Sequence, residues 1–435
     1  MTSTMKNRIG VAFLFLALAA LLTGAFFGLL SITQYLLPDF FKEALPFNQM
    51  RELHVTLVVS WIILAATGGI YHYVENEVSL FSKKLQRLHF RLFAFTGLLI
   101  LLSLFTKQMG GREYMTFSPY LYFPIIIGWI LFAYNFFKSV LQKIQAWPVY
   151  IWMWATGILF MIFTYTEAHL WVFSFFGEHV VKDLTVQWKS YGAMVGSWNM
   201  LVYGTAIYLM SKIKKDESVA RGKLPFFFYF LGLTNLMFAW AHHTYIVPAS
   251  PWIRTTAYVV SMSEWIILGY MIWNWRKTLK PSIKQENTAY RWLFAADIWV
   301  FLNLILALLM SIPAINFFTH GTHVTVAHSM GTTIGINTSI LMASLSYIFL
   351  QRANSGWKRG FMLFHASLLL FLVALVYAGY QRSLWMYGEG NSSFGALSQQ
   401  MHPTFMVAAV AGFGLLIALF LVAFPLLKKM TASLK

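Results

Sequence analysis

The stretch THGTHVTVAHSMGTT, Thr319–Thr333, decides how this chain is read. Three histidines, His320, His323 and His328, stand inside a run otherwise built like a membrane helix, where an apolar residue would cost less. On an α-helix, residues two apart point about 200° from each other. His328 and Met330 therefore face opposite flanks of one rod. Imidazole and thioether both ligate haem iron, so the rod can hold the iron of one haem with His328 and of a second with Met330. His320, eight residues before His328, falls near the membrane surface, where haem propionates need cationic or donor partners. His323 is five residues from His328, about 500° around the helix, and points away from that iron.

The rest of the chain fits this setting. It has 435 residues, 58% hydrophobic and 11% charged, with a mean hydropathy of +0.62. Apolar runs of about 20 residues recur, as bilayer-spanning helices require. They predict about twelve spans, near 11–36, 52–74, 88–106, 118–137, 147–175, 185–212, 223–245, 254–275, 290–313, 321–350, 358–380 and 402–427. The segment Val11–Leu30 is too long for a secretory signal and a second span follows it, so it reads as the first helix. One all-α polytopic membrane domain over 1–435 is the expectation, with no linker or low-complexity tract.

The net charge of +17 does not point to nucleic acid. Roughly three-quarters of the lysines and arginines fall on one side of the spans, the positive-inside bias. Both termini are therefore expected on the cytoplasmic side of a bacterial plasma membrane. Cysteine is absent, which excludes disulfides, thiolate metal sites, iron–sulfur clusters and covalently attached haem.

Most histidines lie in or at the outer ends of spans, a bias that metal ligation explains, since the bond offsets the burial. His54, early in the second span, stands at a depth suited to a second axial ligand for the Met330 haem. The adjacent His242 and His243, in FAWAHHTY (Phe238–Tyr245), end the seventh span at the same face. An ion held by that pair, facing the open side of the His328 haem, would complete a binuclear site.

These residues resemble the large, haem-bearing subunit of the haem–copper oxidase superfamily, and within it the catalytic cytochrome b subunit of nitric oxide reductases. The likeness runs through PFNQMRELHVTLVVSW (Pro46–Trp61), MGGREYMTF (Met109–Phe117), AHHTY, SMSEWI (Ser261–Ile266) and INFFTHGTHVTVAH (Ile315–His328), the last the most specific. It implies a bundle of the oxidase subunit I type with two b-type haems: a low-spin haem on His54 and a high-spin haem on His328. It also implies non-haem iron, rather than copper, on His242 and His243, and calcium at Glu113 with Arg112 beside the propionates. Glu264 is implied in proton delivery.

Two positions depart from the pattern. A histidine is expected where Met330 stands, and a thioether ligand there should raise the haem's potential. The sixth span should carry a histidine followed four residues later by a glutamate, but offers TVQWKSYGAMVGSWN (Thr185–Asn199). Set by Gly192, the register puts Gln187 and Tyr191 in those slots, on one helix face, with Gln187 a weak metal ligand and Tyr191 beside the reaction. Set by Trp198, it leaves Tyr191 and Val195. Glu167 and His169, on the preceding span, either supply the missing ligand or serve a structural role.

The resemblance implies reduction of two NO to N2O and water, with electrons from a membrane-anchored cytochrome c subunit, since a quinol-fed member would usually carry an N-terminal extension. The rival expectations are an oxygen reductase with copper in the second metal position, and a non-catalytic di-haem electron-transfer or sensor protein.

Overall fold

The computed structural model describes residues 7–238, 240, 248, 250–350, 352–388 and 392–435; the side chains of residues 261–265, and with them Glu264, lie outside that description, as do His242 and His243 altogether. The long helices are α1 (Arg8–Leu36), α2 (Phe47–Glu77), α3 (Lys83–Phe105), α4 (Tyr122–Val140), α5 (Val149–Glu167) and α6 (Val180–Lys214), followed by α7 (Lys223–Phe238), α8 (Pro251–Lys277), α9 (Thr288–Ser311), α10 (His323–Phe349), α11 (Ser355–Tyr387) and α12 (Phe394–Leu434). They correspond in order to the twelve expected spans. Among the described residues, nine are long and apolar enough to cross a membrane, all but α6, α7 and α8. Those three fall in the stretch where metal ligands were expected. In particular, α6 carries Lys182, Asp183, Lys189, Lys212 and Lys214, and such residues are tolerated in a span only where they face partners.

Side-chain caps set several helix starts. The Ser82 hydroxyl accepts from Leu85 N–H, Asn287 from Tyr290 N–H, Thr322 from Val324 N–H and Asn354 from Trp357 N–H. Each satisfies one of the donors a helix start leaves open.

The chain forms two compact units. One comprises Met1–Leu14, Ile63–Gln285 and Ser433–Lys435; the other comprises Phe15–Ile62 and Glu286–Ala432. In the first, α5 packs on α6, and a buried polar clamp ties the helix ends together. Asn7 Nδ2 donates to the Tyr71 carbonyl, Gln86 Nε2 donates to Asn7 Oδ1, and the Tyr71 hydroxyl meets His89 Nδ1 at 3.1 Å. His89 is thus a packed histidine of the core.

Contacts in the second unit fix its helix directions. α1 runs antiparallel to α12, with Tyr35 on Phe405 (4.5 Å between ring centres) and Leu29 near Gly412. α12 runs antiparallel to α11, with Thr404 bonded to Gln381 and Gly414 close to Ser367. α11 is parallel to α9 through the ring pairs Trp357–Trp292 and His365–Trp299. α9 is antiparallel to α10, with Asn303 bonded to Thr332 and Thr288 to the Leu350 carbonyl. Since α1 and α2 are antiparallel, α2 and α10 point the same way.

The stretch around Thr319–Thr333 is not one continuous helix. Pro313–Thr319 forms a separate short helix, Gly321 turns the chain at φ +71°, and α10 begins at His323. The positive φ suits glycine. His320 therefore sits in a turn, and the helical spacing assumed between His320 and His328 does not hold. Within α10, Gly331–Thr338 widens into a π-helical segment immediately after Met330. Such segments add a residue to the turn and concentrate at functional sites.

Candidate functional site

His54 is held in one tautomer. Its Nδ1 lies 2.8 Å from the Gly24 carbonyl, which can only accept, so Nδ1 carries the proton and Nε2 keeps its lone pair. Histidines that ligate metals are oriented by this kind of second bond. The ring passes so close to α1 that a Cβ on Gly28 would lie 2.7 Å from His54 Nδ1 and 2.8 Å from Cε1. Only glycine fits there.

The level of His54 against α10 follows from one hydrogen bond. Trp61 Nε1 donates to Thr338 Oγ1 at 3.0 Å, pinning two helices that point the same way. His54 lies seven residues before Trp61 and Met330 eight before Thr338. At about 1.5 Å per residue both stand roughly 10–12 Å from the pin, at one depth. His328 lies two residues further out, on the opposite flank. The π segment shortens the rise between Met330 and Thr338, which keeps Met330 within reach of the His54 level.

α10 is braced immediately after its two candidate ligands. Asn303 of α9 donates to Thr332 Oγ1 at 2.7 Å, and Thr332 Oγ1 donates to the His328 carbonyl at 3.2 Å. A Cβ on Gly331 would meet Asn303 Oδ1 at 2.4 Å, so glycine lets α9 and α10 touch there.

The end of the second unit at which α10 begins can receive an anion. His323 packs between Tyr35 (6.1 Å) and Phe405 (5.2 Å), and the Arg382 guanidinium lies within electrostatic reach of both His323 and Tyr35. His323 Nδ1 and Arg382 Nε are buried with no hydrogen-bond partner among the described residues. An unbonded guanidinium N–H beside an unbonded imidazole nitrogen that can carry a proton suits a carboxylate such as a haem propionate. Arg382 escaped the sequence reading, because its role rests on His323 and Tyr35 of other helices. Burial holds the His320 imidazole below its ordinary pKa, so at neutral pH it offers a donor rather than a cation.

In the first unit, Arg112 projects from a tight turn, bridged to Met115, and its Nη1 donates to Asp183 Oδ2 of α6 at 2.5 Å. Its guanidinium also lies 4.8 Å from the Trp171 ring centre. Glu113 is half-buried in the same turn. The next residue, Tyr114, sets its ring 5.8 Å from Tyr191, so the turn that carries Arg112 and Glu113 is docked on α6. Gln187 and Tyr191 are both buried. Between them, Lys189 pairs with Glu167 and lies 5.9 Å from the Trp240 ring centre. His169 Nδ1 bonds the Tyr165 carbonyl at 2.8 Å. Glu167 is thus ion-paired with α6, and His169 is oriented by a backbone carbonyl as His54 is. Among the described residues no three His, Asp or Glu side chains gather to hold a metal.

The sequence profile described as cytochrome c and quinol oxidase polypeptide I matches residues 8–414. The chain belongs to that family. Oxidase polypeptide I proteins are haem-binding membrane oxidoreductases that work with other subunits, and this chain is accordingly a multi-pass membrane protein. It is 22% identical to a nitric oxide reductase subunit from Stutzerimonas stutzeri, over 90% of this chain and 88% of that one. It is also 22% identical to ubiquinol oxidase subunit 1 of Acetobacter aceti, over 77% of this chain and 57% of that one. In solved structures it resembles a heme-copper terminal oxidase dimer studied by cryo-electron microscopy, with a TM-score of 0.73 and 15% identity, covering all of this chain and 84% of the other. That likeness establishes the fold. Within the oxidase polypeptide I family, the oriented imidazole of His54, its level with Met330 and the unbonded His323 and Arg382 nitrogens form a set that fits haem.

Proposed function

We propose that the chain is the catalytic subunit of a nitric oxide reductase, carrying out 2 NO + 2 e⁻ + 2 H⁺ → N2O + H2O. The observation that carries this reading is the shared depth of His54 and Met330, with His328 on the opposite flank of α10. Two b-type haems on one rod are the expected consequence, and when bound they supply reversible one-electron chemistry and an iron for the substrate. His54 and Met330 would hold the low-spin haem, whose thioether ligand sets a raised potential and makes it the electron acceptor from a membrane-anchored cytochrome c subunit. His328 would hold the high-spin haem. His242 and His243 would hold non-haem iron, with Gln187 as a weak further ligand.

The chain's own residues then orient the cofactors and move protons. His323 and Arg382 bind propionate. Arg112, fixed by Asp183, adds a cation at the outer surface, where Glu113 is the candidate calcium ligand. Glu264 and Tyr191 are the candidate proton donors to the reaction. The charge bias puts both termini on the cytoplasmic side of a bacterial plasma membrane.

The stretch Ile315–His328 supports NO over oxygen; the sixth-span histidine, part of the pattern of both groups, is missing here and does not separate them. The quinol oxidase relative and Tyr191 favour the alternative, an oxygen reductase. The departures in α6 favour a second alternative, a di-haem protein that transfers electrons without catalysis. Anaerobic NO consumption by the purified complex, measured beside its oxygen consumption, tests the proposal. NO turnover with little oxygen turnover supports it; the reverse selects the oxidase, and neither activity selects the conduit. Non-haem iron near one per two haems is expected for the reductase.

A further inference from the structure

We propose that a furrow between α11 and α12, at their basic end, binds an anionic phospholipid. The furrow has a volume of about 450 Å³ and runs from Ile417 past Phe420 and Phe424 to Trp357 and Asn354. Its walls are apolar and open to the side: Phe420 is 51% exposed and Phe424 69%.

Two sequence features create it. Pro425 lies inside α12; it has no N–H, and its ring crowds the carbonyl four residues back, that of Leu421, so the turn between them opens. On the other wall, Gly356 stands in the first turn of α11, where no side chain fills the space. A Cβ built there finds nothing nearer than Asn354 Oδ1 at 3.6 Å.

Charge selects the occupant. Lys358 and Arg359 follow Trp357, and Lys428 and Lys429 follow Pro425 within about one turn. All four are exposed, and neither 353–379 nor 394–435 contains an acidic residue. An apolar slot with four exposed cations within about a turn of its lining residues Asn354, Trp357, Phe424 and Pro425 matches an acyl chain joined to a negatively charged headgroup. Clusters of this kind at the end of a membrane helix attract anionic lipid. A second furrow, of about 360 Å³, lies along α4 and ends at Lys138 and Gln142. With two nearby cations, Lys138 and Lys143, the second of them bonded to the Ser79 carbonyl, it serves as an internal comparison and is expected to select less.

The test uses the purified complex, stripped of lipid by detergent exchange and titrated with phosphatidylglycerol or phosphatidylcholine in mixed micelles. Bound lipid is read by native mass spectrometry and stability by thermal unfolding. Phosphatidylglycerol should be retained and should raise the unfolding temperature, while phosphatidylcholine does neither. Each of the substitutions Lys358→Gln, Arg359→Gln, Lys428→Gln and Lys429→Gln should weaken phosphatidylglycerol binding roughly fivefold, and Lys138→Gln should not. Gly356→Leu should plug the furrow and abolish retention, with an unchanged haem spectrum reporting an intact fold. Equal retention of the two lipids, or wild-type phosphatidylglycerol binding by the fourfold variant, overturns the proposal.

Discussion

Replacing Gly28 by alanine tests the His54 site with a single methyl group. The new Cβ would lie 2.7 Å from His54 Nδ1 and 2.8 Å from Cε1, well inside the 3.5–4.0 Å at which such atoms attract. The ring cannot slide freely, because Nδ1 is bound to the Gly24 carbonyl at 2.8 Å. Either the imidazole gives up that bond or α1 and α2 separate. Loss of the buried bond costs about 0.5–1.5 kcal/mol and overpacking about 1–3 kcal/mol, so the substitution costs about 0.5–3 kcal/mol according to the route taken. Disturbing a ligand's orienting bond typically lowers metal affinity about 10–100-fold. The purified Gly28→Ala complex should therefore lose the low-spin haem signal in its reduced-minus-oxidised optical spectrum while keeping the high-spin signal. The matched control is Gly24→Ala, whose Cβ meets Leu57 and Val58 at 3.0–3.1 Å and leaves the carbonyl in place; it should keep most of the low-spin haem. A Gly28→Ala complex with a full low-spin spectrum would refute the assignment of His54.

Other outcomes follow from the same geometry. Met330→His should lower the midpoint potential of the low-spin haem by exchanging thioether for imidazole, measured by optical redox titration; an unchanged potential would remove Met330 from the ligand set. Asn303→Ala should loosen the brace on Thr332 and broaden the spectra of both haems, with a stability loss of about 1 kcal/mol for the buried bond; an effect on neither spectrum would deny Asn303 its bracing role. At the end of α6, the Lys214 ammonium and the Ser218 N–H and hydroxyl hold Asp216 down from 3.8 to about 2. A depressed carboxylate stabilises the fold above its unfolded value and loses that contribution as pH falls through the folded one. Asp216→Asn should lower the unfolding temperature at neutral pH, and its difference from wild type should shrink between about pH 4 and pH 2. A constant difference would contradict the pairing.

What could be read from the sequence, and what could not, divides along physical lines. Nine of the long helices followed from apolar runs matched to bilayer thickness, a strong and local signal, whereas α6, α7 and α8 carry a weaker one. His54 and His328 stood out because polar residues in such runs need a reason, and Met330 by its two-residue spacing from His328. The break at Gly321 was hidden, since a turn at the membrane surface and a helix passing through it both tolerate THGTH. The π segment was hidden too, since nothing in the composition of GTTIGINT (Gly331–Thr338) sets it apart from an ordinary helix. Gly28 and Arg382 were illegible as well. Each matters for what lies beside it on another helix, and one sequence does not contain that pairing. Asp183 as the partner of Arg112 lies 71 residues away in the chain, beyond any local pattern.

The most direct test of the account is the haem content of the purified complex, with and without His328. The prediction is two b-type haems per chain, and a His328→Ala variant that loses the high-spin spectrum while keeping the low-spin haem on His54 and Met330. One haem per chain, or a His328→Ala spectrum identical to wild type, would contradict the claim that α10 carries a haem on each flank.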